Sequence, residues 1–417
     1  MVVECPLKAR ERMKISDIRL VVDEQAAARK GRLGQIRDAL VNLPVVDRFA
    51  TIVTGVRRAG KSTLLNQWAE DFGGRVVSIH FDDLRLATFT TSDFLFLDEV
   101  VRERQAEAVI LDEIQNVPGW ERYVTSALDR GRKVLVTGSN AQMLSRELGT
   151  RLTGRHLNLE LFPFSYGEFI RYANRSAGFA SLKEHLEVGG FPAYVQTRRR
   201  ELLVELFNDI LYRDIVVRYG LRDAASIRML ATYLLGHVGC RLAPSRLKDS
   251  IHVSSSGTVL DYFTYLEETY LIQRISQFAP SPKARLSSQK KVYACDTGLV
   301  SAIELRDGAN LGHKLENLVY LKLRRPEEVV SYYRHETNDT ECDFIVERRD
   351  GTVEAVQVAW ELTAENETRE VEGAVQAMAR FGLKEAVLVT ADQRDLINRD
   401  GRLIRVVPAY DYLRDAC

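Results

Sequence analysis

The length, composition and charge of the chain are typical of a folded protein with several domains. Its 417 residues predict about two to four domains, and the 45% of residues that are apolar are enough for each domain to bury a core. The 58 basic residues are balanced by 58 acidic ones. This balance argues against a chain coated in positive charge for nucleic acid, although it leaves a local basic patch open.

Targeting and membrane-spanning patterns are missing from the sequence. No run approaches the roughly 18 uninterrupted apolar residues that would span a bilayer, and the N-terminal stretch lacks the basic-then-apolar pattern of a signal peptide. The five cysteines are scattered without a C-x-x-C pair, so the sequence indicates neither a zinc ribbon nor a dithiol redox site. We therefore expect a cytoplasmic protein with reduced thiols and no membrane partner.

The first part of the chain alternates buried strands with helices. After a helical opening, the predicted strands are "FATIVTG" (49–55), "RVVSIHF" (75–81), "AEAVILDE" (106–113) and "KVLVTGS" (133–139). Alternation of this kind is typical of an α/β domain with a parallel sheet. We assign this domain to residues 1–165.

The rest of the chain predicts three further segments. Residues 166–222 are mostly helical, and we interpret them as a linker or lid. In residues 223–300, three helices precede a ribbon of two strands, which is the order of a winged helix. Residues 301–417 return to an α/β pattern, with a hairpin that turns at Asp350-Gly351 and a terminal helix after "EAVLVT".

The stretch "TGVRRAGKST" matches the phosphate-binding pattern G-x-x-x-x-G-K-[ST] between a buried strand and a helix, which is the context that the motif requires. Its backbone amides and the positive end of the following helix would cradle the phosphates of ATP. Lys61 would reach the β- and γ-phosphates, and the Ser62 hydroxyl would bind Mg²⁺. The expected nucleotide-binding residues are Gly55, Val56, Arg57, Arg58, Ala59, Gly60, Lys61, Ser62 and Thr63.

The stretch "AVILDEIQ" places Asp112 and Glu113 at the C-terminal end of a buried strand, where open α/β sheets bind ligands. Asp112 would hold Mg²⁺ directly or through water, and Glu113 would polarise the attacking water. Two adjacent acids of this kind predict hydrolysis of the nucleotide rather than binding alone. Beyond the next strand, Ser139 or Asn140, or alternatively Thr137, would lie between Glu113 and the γ-phosphate.

Two arginines, Arg151 and Arg155, lie four residues apart after that strand. An arginine supplied to the γ-phosphate of a neighbouring molecule would stabilise the charge of the transition state. That role requires a homo-oligomer. The alternative is that both are ordinary surface arginines.

Eight stretches carry a resemblance to a known family: "TGVRRAGKSTLL", "HFDDLRL", "VILDEIQNVPGWE", "VTGSNAQML", "LTGRHLNLELFPFSYGEF", "LYRDIVVRYG", "VYACDTGL" and "KLENLVYLKL". Over roughly residues 15–415, the chain resembles the archaeal and bacterial AAA-like ATPases of the ASCE P-loop class with a C-terminal domain of unknown function. The resemblance implies an ATPase core, a winged-helix module and a C-terminal domain similar to the PD-(D/E)xK nuclease fold.

The C-terminal hairpin departs from that nuclease pattern. The family commonly has Glu-Val-Lys on the second strand, whereas this chain has Gln357-Val358-Ala359. Asp343 and Glu316 could still supply two acids, and a displaced cation could come from Arg369 or Arg380, although arginine cannot act as a base. We therefore expect a degenerate, inactive nuclease-like domain. The alternatives are an active metal-dependent nuclease and an unrelated hairpin.

The winged-helix segment carries basic and hydroxyl side chains that suit phosphate contacts with double-stranded DNA. They are Lys248, Ser254, Ser255, Ser256, Thr258, Lys283, Arg285, Lys290 and Lys291. Winged helices also dock proteins, so both kinds of partner stay open. The sequence thus predicts a Mg²⁺-dependent ATPase whose nucleotide state rearranges C-terminal DNA- or protein-binding modules. The alternative is a signalling-type nucleotide switch that acts through protein interaction without DNA.

Overall fold

The chain divides into two compact units in a computed structural model. The first unit comprises the residues up to Gly55 together with Gly60–Leu161, and the second comprises Val56–Ala59 together with the residues from Phe162 onward. Among the residues that the structure describes, no helix is long and apolar enough to cross a membrane. The described residues are 13–31, 33–138, 154–304, 310–325, 327–335 and 340–414.

The first unit is built on a parallel sheet, as its sequence predicts. Its described strands are β1 (Ala50–Thr54), β2 (Val76–His80), β3 (Ala108–Asp112), β4 (Lys133–Thr137) and β5 (His156–Glu160). They pair in the order β2-β3-β4-β1-β5, and each neighbouring pair is parallel. Because parallel strands share one direction, their C-terminal ends meet at a single edge of the sheet, where a ligand can bind.

Helices cover both faces of this sheet. Side chains alternate along β3, so that Val109 and Leu111 pack on one face while Ala108 and Ile110 pack on the other. The first face carries residues of three helices and the second carries α2. The helices are α1 (Ile15–Arg29), α2 (Lys61–Phe72), α3 (Phe94–Glu103) and α4 (Glu121–Asp129).

The edge strand β5 is a feature that sequence analysis missed. It pairs in parallel with β1, with His156 opposite Ala50 and Glu160 opposite Thr54. Four of its residues are half-buried and one is exposed, because an edge strand has a neighbour on one side alone. Without a continuous apolar run, "HLNLE" lacks the signal that identified the four central strands.

The second unit begins with a helical region. A π-helical segment, Ile210–Val217, continues the fourth of its helices. Eight further helices of the described residues follow, and all but the first of them lie between or after the strands of the two sheets described below. The helices in chain order are α5 (Tyr166–Tyr172), α6 (Phe179–Val188), α7 (Pro192–Thr197), α8 (Glu201–Asp209), α9 (Ala224–Leu235), α10 (Pro244–Ser250), α11 (Ser256–Glu268), α12 (Pro282–Ser287), α13 (Thr297–Ile303), α14 (Leu311–Leu323), α15 (Glu367–Phe381) and α16 (Ala409–Arg414).

A small antiparallel sheet follows α9 in the second unit. Its described strands are β6 (Arg241–Leu242), β7 (Ile272–Ser276) and β8 (Lys290–Ala294), in the order β6-β8-β7. The sequence predicted a ribbon of β7 and β8 alone. Strand β6 was missed because two residues are too few to carry a period-2 pattern.

The larger sheet of the second unit is mixed. Its strands are β9 (Val329–Arg334), β10 (Glu341–Glu347), β11 (Val353–Val358), β12 (Glu385–Thr390), β13 (Asp395–Arg399) and β14 (Arg402–Pro408). Within the described residues they pair in the order β13-β14-β12-β11-β10-β9. The hairpin of β10 and β11 agrees with the sequence. The hairpin of β13 and β14 was not expected, because β13 is largely exposed and carries no apolar run.

One hydrophobic cluster joins the segments of the second unit. It contains Phe169 of α5, Tyr293 of β8 and Phe344 of β10, which come from the predicted lid, winged helix and C-terminal domain respectively. The sheet of β9–β14 carries a second cluster on its other face, beneath α15. The division of this unit at residues 222 and 300 stays a prediction.

Helix α15 approaches β10 closely at Gly373. A Cβ atom there would lie 2.1 Å from the carbonyl oxygen of Glu341. Substitution of Gly373 by Ala should therefore lower the free energy of unfolding by about 2 kcal/mol, because the helix must move away from the strand. Thermal unfolding followed by circular dichroism measures this.

Gly257 is the matched control for this substitution. It lies exposed in the first turn of α11, and the nearest atom to an added Cβ is the Ser255 hydroxyl at 3.4 Å. Alanine there should be neutral or stabilise by up to about 1 kcal/mol, because glycine is the weaker helix former. Equal unfolding temperatures for Gly373→Ala and the parent chain would show that the close approach has no energetic consequence.

Candidate nucleotide-binding site and C-terminal polar cluster

The phosphate-binding motif joins β1 to α2. Gly55 has a φ of 135°, and a Cβ atom on it would lie 2.0 Å from the carbonyl oxygen of Leu161. No other residue type fits this position, because both the backbone conformation and the space exclude a side chain. Gly60 precedes the first residue of α2 with a φ of 98°. Both motif glycines therefore lie where the chain turns from β1 into α2.

Lys61, Ser62 and Thr63 begin helix α2, at its positive end. The Lys61 side chain is buried, and its Nζ donates a hydrogen bond to the Gly55 carbonyl oxygen at 3.0 Å. The ammonium group thus lies over the loop that the motif glycines form.

Arg57 and Arg58 lie in the short stretch that belongs to the second unit. Arg57 donates two hydrogen bonds to Asp214, from Nε at 3.0 Å and from Nη2 at 2.8 Å. Arg58 donates from Nη2 to Asp209 at 3.1 Å. Both guanidinium groups are therefore paired with carboxylates of the same unit. Val56 and Ala59, which flank them, are fully buried.

Asp112 is the centre of the polar cluster in the first unit. Its Oδ2 lies 2.9 Å from Nδ1 of His80, and its Oδ1 accepts a hydrogen bond from the Thr137 hydroxyl. Ser62 lines the same cavity as Asp112, and its hydroxyl helps to lower the pKa of the carboxyl. These partners come from three different elements, β2, β4 and α2. The carboxylate of Asp112 is thereby fixed beside the serine of the phosphate-binding motif.

The ionisation of this cluster follows from these contacts. Burial alone would raise the pKa of the Asp112 carboxyl, but the hydrogen bonds with His80, Thr137 and Ser62 outweigh burial and hold that pKa below its ordinary value. The hydrogen bond with Asp112 also raises the pKa of the His80 imidazole, against the effect of burial. Asp112 is therefore an anion at neutral pH.

Glu113 follows Asp112 with a left-handed backbone, at φ 55° and ψ 46°. Its backbone N–H donates to the Thr137 hydroxyl oxygen at 2.8 Å, so Thr137 contacts both acids. The Glu113 carboxylate accepts a hydrogen bond from the side-chain amide of Gln115. Thr137 was one of three alternatives from the sequence, and its two hydrogen bonds make it the described residue that joins β4 to the acid pair.

A cavity of about 320 Å³ lies beside Asp112 in the first unit. Helix α1 contributes Gln25 and Arg29 to it, and α2 contributes Ser62 and Asn66. Gln25 also fixes His80, because its Oε1 accepts from the His80 backbone N–H at 2.8 Å and its Nε2 donates to the His80 carbonyl oxygen at 3.2 Å. Sequence analysis did not identify these residues around His80 and Asp112.

Arg155 lies at the opposite edge of the sheet from the phosphate-binding motif. It precedes β5, so it is at the N-terminal edge, and its Nη1 donates to Asp129 at 2.8 Å. A strand of five residues separates the two edges by roughly 16 Å. Arg155 therefore does not belong to the site formed at the C-terminal ends of its own sheet. Ser139, Asn140 and Arg151 lie outside the described residues.

The second unit contains another buried polar cluster, centred on Lys291 of β8. Its Nζ contacts Glu341 at 2.7 Å, Asp343 at 2.8 Å and Glu316 at 2.9 Å. Burial alone would lower the pKa of the Lys291 ammonium, but Asp343, Glu316 and Glu341 outweigh burial and raise that pKa well above its ordinary value. Burial raises the pKa of the Glu316 carboxyl. The lysine is therefore charged in the folded protein.

This arrangement corrects two expectations from the sequence. Lys291 was expected to contact DNA, but its side chain is buried among the carboxylates. The displaced cation was sought in Arg369 or Arg380, but Arg369 pairs with Glu370, and Arg380 lies over the Phe278 ring at 5.7 Å. Strand periodicity and residue spacing do not show which distant residue lies beside Asp343. They could therefore not indicate that Lys291 of β8 supplies the positive charge.

The other residues of the hairpin lie as follows. Asp343 accepts from the Val358 backbone N–H at 3.0 Å, and the Gln357 side chain accepts from the Asp343 N–H at 3.1 Å. Gln357 also donates to Glu370 at 2.6 Å, and Ala359 packs in the apolar cluster beneath α15. In the part of the chain that the structure places, no group of three or more His, Cys, Asp or Glu side chains is arranged to hold a metal ion.

Comparison with known proteins assigns the first unit more closely than the second. Residues 47–170 match a family model described as an AAA domain, and residues 179–310 match a model described as a domain of unknown function. The first match includes the phosphate-binding motif, Asp112 and Glu113. It supports a P-loop, AAA-like ATPase that binds and hydrolyses ATP.

Relatives of similar length are uncharacterized. A protein of Methanocaldococcus jannaschii is 27% identical over 424 residues, which covers 94% of each chain. A protein of Haemophilus influenzae is 27% identical over 388 residues, covering 88% of this chain and 94% of its own. The structure of a Walker-type ATPase of Pyrococcus abyssi is similar with a TM-score of 0.40 and 17% identity, covering 68% of this chain and 96% of that one.

Substitution of Thr137 by Val tests the contacts around the acid pair. Valine keeps the shape of the side chain but removes the hydroxyl that donates to Asp112 and accepts from Glu113. We expect ATP turnover to fall about 10- to 100-fold while nucleotide binding is retained, because the phosphate-binding motif is untouched. Steady-state phosphate release and binding of a fluorescent ATP analogue measure the two quantities.

Thr125→Val is the matched control. Thr125 lies on α4 of the same unit, and its hydroxyl donates to the Glu121 carbonyl oxygen at 3.0 Å. That variant should hydrolyse ATP at the parental rate. Parental turnover in Thr137→Val would mean that Thr137 does not position the acid pair.

Proposed function

We propose that the first unit is a Mg²⁺-dependent ATPase and that its nucleotide state changes the arrangement of the modules that follow it in the chain. One observation carries the proposal: Ser62 of the phosphate-binding motif and Asp112 line the same cavity, and the serine hydroxyl helps to lower the pKa of the Asp112 carboxyl. These two side chains are 50 residues apart in sequence, and P-loop ATPases use this pair of groups to hold the metal.

The residues present fit Mg²⁺, because a hydroxyl and an ionised carboxylate are hard oxygen ligands. When bound, the metal would neutralise charge on the β- and γ-phosphates. Lys61 would stabilise the same phosphates, since its ammonium lies over the loop at the start of α2. The backbone amides of Gly55–Thr63 would complete the phosphate cradle.

Glu113 is the residue that we propose for orienting and polarising the attacking water. Its backbone is held by Thr137 and its carboxylate by Gln115. Both contacts lie at the C-terminal edge of the sheet, beside Asp112. Positioning of this kind lowers the barrier because the base does not have to be ordered in each turnover.

Two substitutions separate binding from hydrolysis. Lys61→Ala should abolish nucleotide binding, because the phosphates lose their buried cation. Glu113→Gln should leave binding intact and reduce turnover by about 100-fold or more, because the amide is isosteric but is not a base. Calorimetric ATP titration and steady-state phosphate release measure these effects.

Glu107→Gln makes the same chemical change at an exposed position of the first unit. Its carboxylate lies 3.5 Å from Arg75 on the surface. This variant should hydrolyse ATP like the parent. If Glu113→Gln also retains parental turnover, Glu113 is not the catalytic base.

The candidate arginines require a second copy of the chain. Arg155 lies at the N-terminal edge of its own sheet. It could therefore contact only a γ-phosphate that is bound by another copy of the chain. We propose that a homo-oligomer would bring Arg155 or Arg151 to a neighbouring site. Determination of the assembly mass with and without ATP tests this arrangement.

The element order α9-β6-α10-α11-β7-β8 supports a winged-helix module in the second unit. Its basic residues give mixed support for DNA. Lys291 is buried, and Arg285 pairs with Glu347 at 3.4 Å, whereas Lys248 and Lys290 are partly exposed. We keep double-stranded DNA as the partner, with a signalling-type switch that docks a protein as the second candidate.

Fluorescence anisotropy with a labelled duplex distinguishes these candidates. DNA binding through Lys248 and Lys290 should weaken steeply as salt rises, and replacement of both by Ala should weaken binding and lower the salt dependence. Lys183→Ala on α6, outside the winged-helix segment, should change neither. Absence of salt-sensitive binding at micromolar protein would favour the protein-docking switch.

The C-terminal sheet supports our proposal of a nuclease-like fold without nuclease activity. Glu316, Asp343 and Gln357 lie in one polar cluster. The metal-binding acids of a nuclease of this fold would lie together in the same way. Gln357 is a neutral ligand and a poorer one than glutamate for a hard cation. Ala359 supplies no charge at all.

A further inference from the structure

Lys291 is surrounded by carboxylates inside the second unit. An ammonium group has three donors, and the Lys291 Nζ contacts three carboxylates, those of Glu341, Asp343 and Glu316, at 2.7, 2.8 and 2.9 Å. The side chain is 3% exposed. The contacts with Glu316 and Asp343 are hydrogen bonds, and the contact with Glu341 is an ion pair.

The carboxylates around Lys291 are themselves anchored. Glu316 Oε1 also accepts from the Tyr293 hydroxyl at 2.7 Å, and Asp343 Oδ2 accepts from the Val358 backbone N–H at 3.0 Å. Their positions are therefore set by α14, β8 and the two strands of the hairpin, and not by the lysine alone. Removal of the ammonium would leave Glu316 and Asp343 facing the same vacated point.

With the lysine in place, these carboxylates, like the rest of the described residues, form no group arranged to hold a metal ion, but the point that they surround has the chemistry of a cation site. Hard divalent cations take carboxylate oxygens as ligands, and two or three carboxylates that converge on one point are the usual protein contribution. Here the converging oxygens already surround one positive charge, which is covalently part of the chain. The cluster lines a cavity of about 680 Å³, from which an ion could reach the carboxylates. To occupy the point between them, a divalent ion would have to displace the ammonium.

We propose that Lys291 is a built-in cation that occupies the point between Glu316, Asp343 and Glu341 and closes it to divalent metal ions. The chain therefore carries a latent site for Mg²⁺ or Mn²⁺ that its own lysine fills. This cluster also fixes β8 to α14 and β10, so the same contact that excludes the metal joins the small sheet to the larger one. The inference does not depend on the ATPase proposal.

Counting of bound Mn²⁺ tests this assignment. Free Mn²⁺ is measured by electron paramagnetic resonance in nucleotide-free, full-length protein. Lys291→Met removes the charge but keeps a flexible side chain of similar length. We expect this variant to bind about one Mn²⁺ per chain more than the parent, and Lys291→Met combined with Asp343→Asn to lose most of that gain. Lys291→Arg, which keeps the charge, should bind no more than the parent.

Comparison of the parent with Asp343→Asn gives a test that does not require Lys291→Met to fold. If Lys291 closes the site, both proteins bind the same amount of Mn²⁺. Mn²⁺ binding in the parent that Asp343→Asn removes would overturn the proposal, because the site would then be open in the presence of the lysine. Equal Mn²⁺ binding by the parent and a folded Lys291→Met variant would also overturn it.

Circular dichroism establishes which variants are folded. A folded Lys291→Met variant should gain thermal stability on addition of Mn²⁺, by more than the parent does, because a ligand that binds the native state alone stabilises it. Any Mn²⁺ that binds at Asp112 and Ser62 of the first unit would bind in all variants alike. Differences between variants therefore report the cluster around Lys291.

Discussion

The first unit depends on one carboxylate that is held by three side chains from three elements. Asp112 would be costly to bury as an isolated anion, and it is stable there because His80 and Thr137 hydrogen-bond to it and the nearby Ser62 hydroxyl helps to lower its pKa. Each of these partners brings its own element to the C-terminal edge of the sheet. The parallel register makes this geometry available, since His80 and Asp112 are direct neighbours on β2 and β3.

The polar clusters around Asp112 and Lys291 stabilise buried carboxylates in different ways. Around Asp112, neutral hydroxyl groups and an imidazole stabilise a single acid, and the serine and the acid keep the arrangement that suits an external cation. Around Lys291, several acids converge and the chain supplies the cation itself. A cation that is covalently part of the chain cannot be exchanged, and its removal would leave buried carboxylates uncompensated.

Local sequence patterns predicted the parts of the structure that depend on local chemistry. The four central strands of the first unit are continuous apolar runs, and the phosphate-binding motif is fixed by the spacing of Gly55, Gly60 and Lys61, so both were accessible from the sequence. Strands β5 and β6 were not, because an edge strand is only half-buried and a two-residue strand has no periodicity. These strands form because they pair with neighbouring strands, and their own residue pattern does not predict them.

The side chains that complete the sites show the same division. Asp112 and Glu113 follow an apolar strand and could be found by position alone. His80 also ends a buried strand, which is the one signal that could have indicated it. Lys291 had no such signal, since 25 residues separate it from Glu316 and 52 separate it from Asp343. A basic residue on a ribbon strand is equally suited to DNA and to a buried ion pair until its neighbours are known.

The left-handed backbone of Glu113 has a consequence for how this site can change over time. A side chain in this conformation costs roughly 1 kcal/mol, and glycine or asparagine would adopt it more readily. Replacement by either residue would relieve the strain and remove the carboxylate that we propose for catalysis. Stability and activity therefore favour different residues at this one position. Glycine or asparagine at position 113 in a descendant of this chain would therefore indicate that nucleotide binding is retained and ATP hydrolysis is lost.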